Sequence, residues 1–217
     1  MNDIDAILFD LDGTLTDSGP SIMNCYRYTF DKLGFDCPPD HVLRSFVGPP
    51  LNQNMESVVG PELVADAIKH YLYHMVDEGV GLSENKLYAG VPDLLTTLKS
   101  AGKNIYLATS KRHPLCDDVL IHFDLMKYFS AVHGCNRDGS QSDKALVVAK
   151  ALASAGCKPD RAIMVGDRYH DIVGAKKNGL QSIGVLWGYG SRQELEEAGA
   201  DYIVETRTEL TTLLLAA

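Results

Sequence analysis

Apolar and polar residues fall into short alternating blocks along this chain. Six apolar runs rich in β-branched residues, at 6–11 (AILFDL), 104–110 (NIYLATS), 131–135 (AVHGC), 162–167 (AIMVGD), 182–187 (SIGVLW) and 201–205 (DYIVE), read as strands buried on both faces. Between them, apolar spacing predicts helices over 92–100, 117–123, 144–155, 171–178 and 192–198, four of them followed closely by Gly102, Gly156, Gly179 or Gly199. Strand alternating with helix predicts an α/β fold, a doubly wound parallel sheet.

The interval 16–86 breaks that rhythm. It shows no strand pattern but has helical spacing at 22–33, stopped by Gly34, and at 63–78, stopped by Gly79. The expected organisation is a core from 1–15 plus 88–217, carrying an inserted all-helical domain at 16–87 with hinges at 16–19 and 87–91.

Composition narrows the partners. The 217 residues are 45% hydrophobic and carry a net charge of -9, so a nucleic acid or an anionic membrane would be repelled by the average surface. No apolar run approaches the roughly 18 residues of a membrane span, and no basic leader opens the chain. Cys25, Cys37, Cys116, Cys135 and Cys157 are scattered, odd in number and without a C-x-x-C pair, which points to reduced thiols and a cytoplasmic protein. A monomer or homodimer is expected.

The chemistry gathers at predicted strand ends, where open α/β sheets bind ligands. The first strand delivers Asp10, Asp12 and Thr14, the second Thr109, Ser110 and Lys111, and the fourth Asp167 with Asp171 one helical turn on. Lys144 starts the helix before the fourth strand. If the first strand persists, Asp10 and Asp12 share a face and repel each other. Carboxylates converging from two strands call for a cation among them, and an all-oxygen set suits Mg²⁺. Two neighbouring carboxylates also suit a reaction in which one attacks phosphorus while the other handles the leaving group's proton. The bland readings are a strand-end turn at Asp12-Gly13 and a helix start favoured by Asp171.

FDLDGTLTDS at 9–18, ATSK around Thr109, Lys144, and GDRYHD with Asp167 and Asp171 resemble, in order and spacing, the four motifs of the haloacid dehalogenase (HAD) superfamily. The insertion sits where that family carries its type-1 helical cap on a Rossmann-like core. The resemblance implies Asp10 as nucleophile and Mg²⁺ ligand, and Asp12 as general acid/base that also binds Mg²⁺ through its backbone carbonyl. It implies Thr109 as phosphoryl-binding hydroxyl, Lys144 as counter-charge, Asp167 as Mg²⁺ ligand and Asp171 as ligand or support. Lys144 precedes Ala145 where the family often has proline, which leaves Lys111 as a second candidate for the cation beside the phosphate.

VGPPL at 47–51 and GVLWGYGS at 184–191 resemble the phosphoglycolate phosphatase-like branch, whose members act on phosphoglycolate, nucleoside monophosphates or pyrophosphate. A small phosphorylated metabolite is the expected substrate. A phosphomutase, or a binding protein that has lost turnover, remains open. Thr14, Ser110, Lys111, Arg44 and His170 are further candidates for substrate contact, while Trp187 and Tyr189 are expected to fill a core edge.

Overall fold

The computed structural model describes residues 4–216. Its main sheet contains β1 (Ala6–Phe9), β4 (Asn104–Arg112), β5 (Ala131–Cys135), β6 (Ala162–Gly166), β7 (Gln181–Val185) and β8 (Tyr202–Val204), all parallel, in the order β5-β4-β1-β6-β7-β8. A separate antiparallel ribbon pairs β2 (Thr16–Asp17) with β3 (Lys86–Leu87). The chain runs outward from β1 through β4 to β5, then crosses back to β6 on β1's other side. That reversal opens a crevice beyond the carboxyl ends of β1 and β6.

Between the two ribbon strands lie α1 (Gly19–Leu33), α2 (Asp40–Ser45), α3 (Leu51–Val59), α4 (Val64–Leu72) and α5 (Val80–Ser83). They surround a hydrophobic cluster of their own that includes Cys25, Tyr26, Phe30, Leu43, Met55 and Tyr71. The helix expected at 63–78 is instead a 3-10 turn, α4 and a wider π turn at Tyr73–Asp77. The ribbon, α2, α3 and α5 have no counterpart in the sequence reading, because elements this short complete too little of a period to leave a pattern. The ribbon joins both ends of the insertion, with Thr16 opposite Leu87 and Asp17 opposite Lys86.

The sheet is covered on both faces. Ile7, Phe9, Ile105, Leu107, Ile163 and Val165 pack against α6 (Val91–Ser100), α7 (Leu115–His122) and α11 (Arg207–Leu215). Ala6, Leu8, Tyr106, Ala108 and Met164 face α8 (Lys144–Ala155) and α9 (Tyr169–Lys177), with α10 (Arg192–Ala198) leading into β8. This two-sided burial explains why the strands read as continuous apolar runs. Asp143 caps α8 by accepting the Ala145 N–H at 2.9 Å, which fixes where Lys144 emerges. No helix among the described residues is long and apolar enough to cross a membrane.

Candidate active site

β1 ends at Phe9, earlier than its apolar run suggests, and the chain then turns tightly. The Leu11 carbonyl accepts the N–H groups of Thr14, Leu15 and Thr16 at 3.2, 2.9 and 3.0 Å, and Gly13 N–H donates to Thr16 O at 2.8 Å. Gly13 sits at φ +89, and a Cβ there would lie 2.3 Å from Asp167 Oδ2. Glycine is therefore required at this point both by backbone conformation and by space. Asp12 lies inside the turn, not on a strand beside Asp10, so the repulsion expected from a persistent strand is relieved in a different way: each carboxylate has its own lysine. Lys144 Nζ is 2.7 Å from Asp10 Oδ1, while Lys111 Nζ is 3.1 Å from both Asp12 oxygens.

Asp167 and Asp171 complete a buried acidic cluster with Asp10, one oxygen of each lying within 4.8 Å of the others. Lys144 Nζ also stands 2.8 Å from Asp171 Oδ1 and donates to the Ala108 carbonyl at 2.8 Å. Burial by itself would push this ammonium's pKa down, but the charges of Asp10 and Asp171 outweigh it and the pKa rises. Lys144 thus pairs with two of the three buried carboxylates and leaves Asp167 without an ammonium partner. Burial is the main cause that raises Asp10, and it pushes Asp167 up to about 8 with help from the charges of Asp171 and Asp10. An uncompensated negative cluster of this kind is the donor set a hard divalent cation fits.

Support comes from the loops. Thr14 Oγ1 donates to Asp167 Oδ1 at 3.2 Å, and Tyr189 N–H donates to Asp167 Oδ2 at 2.7 Å. The Arg168 N–H donates to Asp171 Oδ2 at 3.1 Å. Gly166 is likewise obligatory, since a Cβ would fall 2.1 Å from Asp171 Cγ. Trp187 Nε1 donates to the Thr14 carbonyl at 3.0 Å, and the Tyr189 hydroxyl accepts the Gly19 N–H at 2.7 Å while donating to Asp17 Oδ1. The GVLWGYGS loop therefore ties the start of α1 to the acidic cluster.

A cleft opens over Asp10 and Asp12. Thr109, Ser110 and Lys111 line its core side because β4 loses register against β5 between Ala108 and Arg112, lifting these residues off the ladder. Ile22, Tyr26, Phe46, Tyr71 and Met75 of the insertion form an apolar opposite wall. Two candidates have other placements. Thr14 is spent on Asp167, and Arg44 reaches the core loop, where Nη2 donates to Gly188 O at 3.3 Å and the guanidinium lies 4.8 Å from the Tyr189 ring centre. His170 lies at a side opening with Ser110, Ser142 and Lys144. Burial, with the nearby charges of Arg168 and Lys144, pushes its pKa down to about 4, so the ring is neutral at pH 7.

The sequence reading missed Arg112, which ends β4 and lines the cleft, and Arg168, whose guanidinium donates to the Ser45 and Val47 carbonyls of the insertion and to Glu194. Two basic residues directly after Thr109-Ser110 were the available signal for Arg112.

The strand order is that of an open Rossmann-like sheet with an acidic cluster at its switch point, and the family model that matches it is that of the haloacid dehalogenase-like hydrolases. The chain belongs to that family, whose model matches residues 7–185. It is 37% identical over 191 residues to a 5'-nucleotidase of Pseudomonas aeruginosa, covering 87% of this chain and 86% of that protein. It is 35% identical over 206 residues to the tyrosine-protein kinase PtkA of Mycobacterium tuberculosis, covering 95% and 67% respectively. Among solved structures, a predicted phosphatase from Clostridium acetobutylicum superposes with a TM-score of 0.93 at 40% identity, each chain covered over 100% of its length.

Proposed function

We propose that this protein is a Mg²⁺-dependent phosphatase that hydrolyses a small phosphorylated metabolite, phosphoglycolate-like or a nucleoside monophosphate, through an aspartyl-phosphate on Asp10. The observation that carries the reading is the pairing of two carboxylates in one cleft with two separate lysines, Asp10 with Lys144 and Asp12 with Lys111. Asp10 attacks phosphorus as the bond to the leaving oxygen breaks, and Asp12, which enters this step in its acid form, gives that oxygen its proton. Water then attacks the same phosphorus, its proton passes to Asp12, and the bond to Asp10 breaks to release phosphate. Lys144 keeps Asp10 oriented, and Thr109 and Ser110 hold phosphoryl oxygens. Asp10, Asp167, Asp171 and the Asp12 carbonyl would hold Mg²⁺, which supplies charge neutralisation at the phosphoryl group. The 16–87 insertion is the cap, and its apolar wall excludes water from the cleft.

The test is phosphate release from phosphoglycolate, nucleoside monophosphates, pyrophosphate, sugar phosphates and an aryl phosphate, with Mg²⁺ and with EDTA. Mg²⁺-dependent release from at least one is expected, and no release from any overturns the reading. The likeness to a protein named as a tyrosine kinase supports a second reading, in which the phosphoryl group passes to an acceptor other than water. Labelled phosphate recovered on an added acceptor, with little free phosphate, would favour it; a phosphomutase gives the same pattern with a sugar phosphate as acceptor.

A further inference from the structure

Arg112 is 8% exposed, yet its hydrogen-bond partner is a neutral amide, with Nη2 donating to Asn52 Oδ1 at 2.8 Å. No carboxylate among the described residues comes within ion-pair distance of it. Asp138, on the neighbouring 136–141 loop, is exposed, and its carboxyl is held below the usual aspartate range first by its hydrogen bonds with Ser140, which donates its N–H at 2.8 Å, and only last by the Arg112 charge, with which it makes no ion pair. The guanidinium packs on the backbone of Gly139, where a Cβ would fall 2.4 Å from Nη2. Both Arg112 and Asn52 line the cleft that holds Asp10 and Asp12. A buried, unpaired cation is costly unless something brings it a negative charge.

The donor inventory sharpens this. Asn52 gives its oxygen to Arg112, so its amide N–H groups and the remaining guanidinium N–H groups all offer hydrogens. Lys111, the other nearby cation, is held on Asp12. This end of the cleft is therefore a set of donors without a matching acceptor, which suits a carboxylate or a phosphoryl group. A nucleobase edge, which mixes donors with acceptors, would leave its own donors unmatched.

We infer that Arg112, with Asn52 across the boundary between core and insertion, anchors a second anionic group on the leaving group of the substrate. This rests on the phosphohydrolase reading above and narrows it to monoesters or anhydrides whose leaving group is itself an anion. Because Asn52 belongs to α3 and Arg112 to β4, such a substrate also bridges the two sides of the cleft.

The experiment compares kcat/KM for phosphoglycolate and pyrophosphate with that for ethyl phosphate, a near-isosteric ester with a neutral leaving group. UMP and an aryl phosphate are run alongside. The wild type is expected to favour one anionic substrate by about 30- to 100-fold, and whichever it favours tells a carboxylate from a phosphoryl group. Arg112→Gln should bring that ratio close to one, and Arg112→Lys should keep part of it, with melting temperature checking that each variant folds. An unchanged ratio in Arg112→Gln, or UMP turned over faster than both anionic substrates, overturns the anchor. If no substrate releases phosphate, the phosphohydrolase reading fails by itself. The anchor is then read by calorimetry of phosphonoacetate and methylenediphosphonate against ethylphosphonate in the presence of Mg²⁺. Weaker binding to Arg112→Gln of the two ligands that carry a second anionic group, with ethylphosphonate unchanged, supports it, and equal binding to both proteins overturns it.

Discussion

Lys111 Nζ stands 3.1 Å from both oxygens of Asp12, straddling the carboxylate, while Lys144 makes its closest ion pair with Asp10 at 2.7 Å. Each carboxylate of the first motif has its own cation, so the two lysines do different work. Lys144 offsets part of the charge of the buried cluster, and Lys111 pairs with Asp12 at the cleft wall.

The two carboxylates should therefore fail differently. With Asp10 as the proposed nucleophile, Asp10→Asn is expected to lower kcat by at least about 10⁴-fold. Asp12→Asn keeps the attacking group and should lower kcat by about 10² to 10⁴-fold. With an aryl phosphate, whose leaving group needs little protonation, acid-quenched Asp12→Asn should retain labelled phosphate on the protein, and Asp10→Asn should retain none. Label on Asp10→Asn would move the nucleophile elsewhere.

The lysines should separate in the same way. Lys144→Met leaves three buried carboxylates with no ammonium, and near pH 8 in EDTA it should cost about 3 kcal/mol of stability, read by denaturant unfolding. The loss should shrink at pH 5.5, where the cluster takes up protons. Lys111→Met lies on the cleft wall and should cost less stability but at least tenfold in kcat. Equal stability losses would refute this division of roles.

Metal binding should be linked to pH with a definite sign. In the metal-free protein Asp167 titrates at about 8 against 3.8 for an ordinary aspartate, so between those values the folded state holds more protons than the unfolded one. Stability without metal is then highest below about pH 4 as far as this group is concerned, and falls as pH rises towards 8. Bound Mg²⁺ would replace those protons, so the stabilisation it gives, read as a rise in melting temperature, should grow from pH 5.5 to pH 8, and a hundredfold excess over Kd corresponds to about 2.7 kcal/mol. A rise that is the same at both pH values would separate the cation from Asp167.

Gly13→Ala tests the turn itself. The added Cβ meets both a backbone at φ +89 and the Asp167 carboxylate, so the variant should lose about 1–3 kcal/mol and bind Mg²⁺ more weakly. A melting curve with and without Mg²⁺ reads both effects. A wild-type response to Mg²⁺ would mean that the turn moves independently of Asp167.

Much of the fold was legible because it is local. The runs beginning at Ala6 and Ala162 are apolar throughout since both sheet faces are covered, and Gly34, Gly156 and Gly199 end their helices in left-handed conformations that any reader of the sequence could expect. Asp10, Asp12, Thr109 and Asp167 could be singled out because strand ends of an open α/β sheet converge whatever the side chains between them, and Lys144 and Asp171 because they fall in the first turns of α8 and α9, the helices on either side of β6 in the chain. The insertion was less so. Its shorter helices and the ribbon of Thr16 with Leu87 leave no period, and the single helix expected at 63–78 broke where a π turn intervenes.

Periodicity and turn chemistry act between residues close together in the chain and marked the strands, the helices between them and where they end, while the order of four motifs pointed to Asp10 and Asp167, far apart in the chain, as parts of one site. Which lysine meets which aspartate, why Thr14 and Arg44 turn towards Asp167 and Gly188, and how Arg112 comes to face the cleft with only Asn52 beside it were decided by packing. These contacts join residues 60 to 153 positions apart, through rotamers and a strand irregularity whose direction no local pattern encodes.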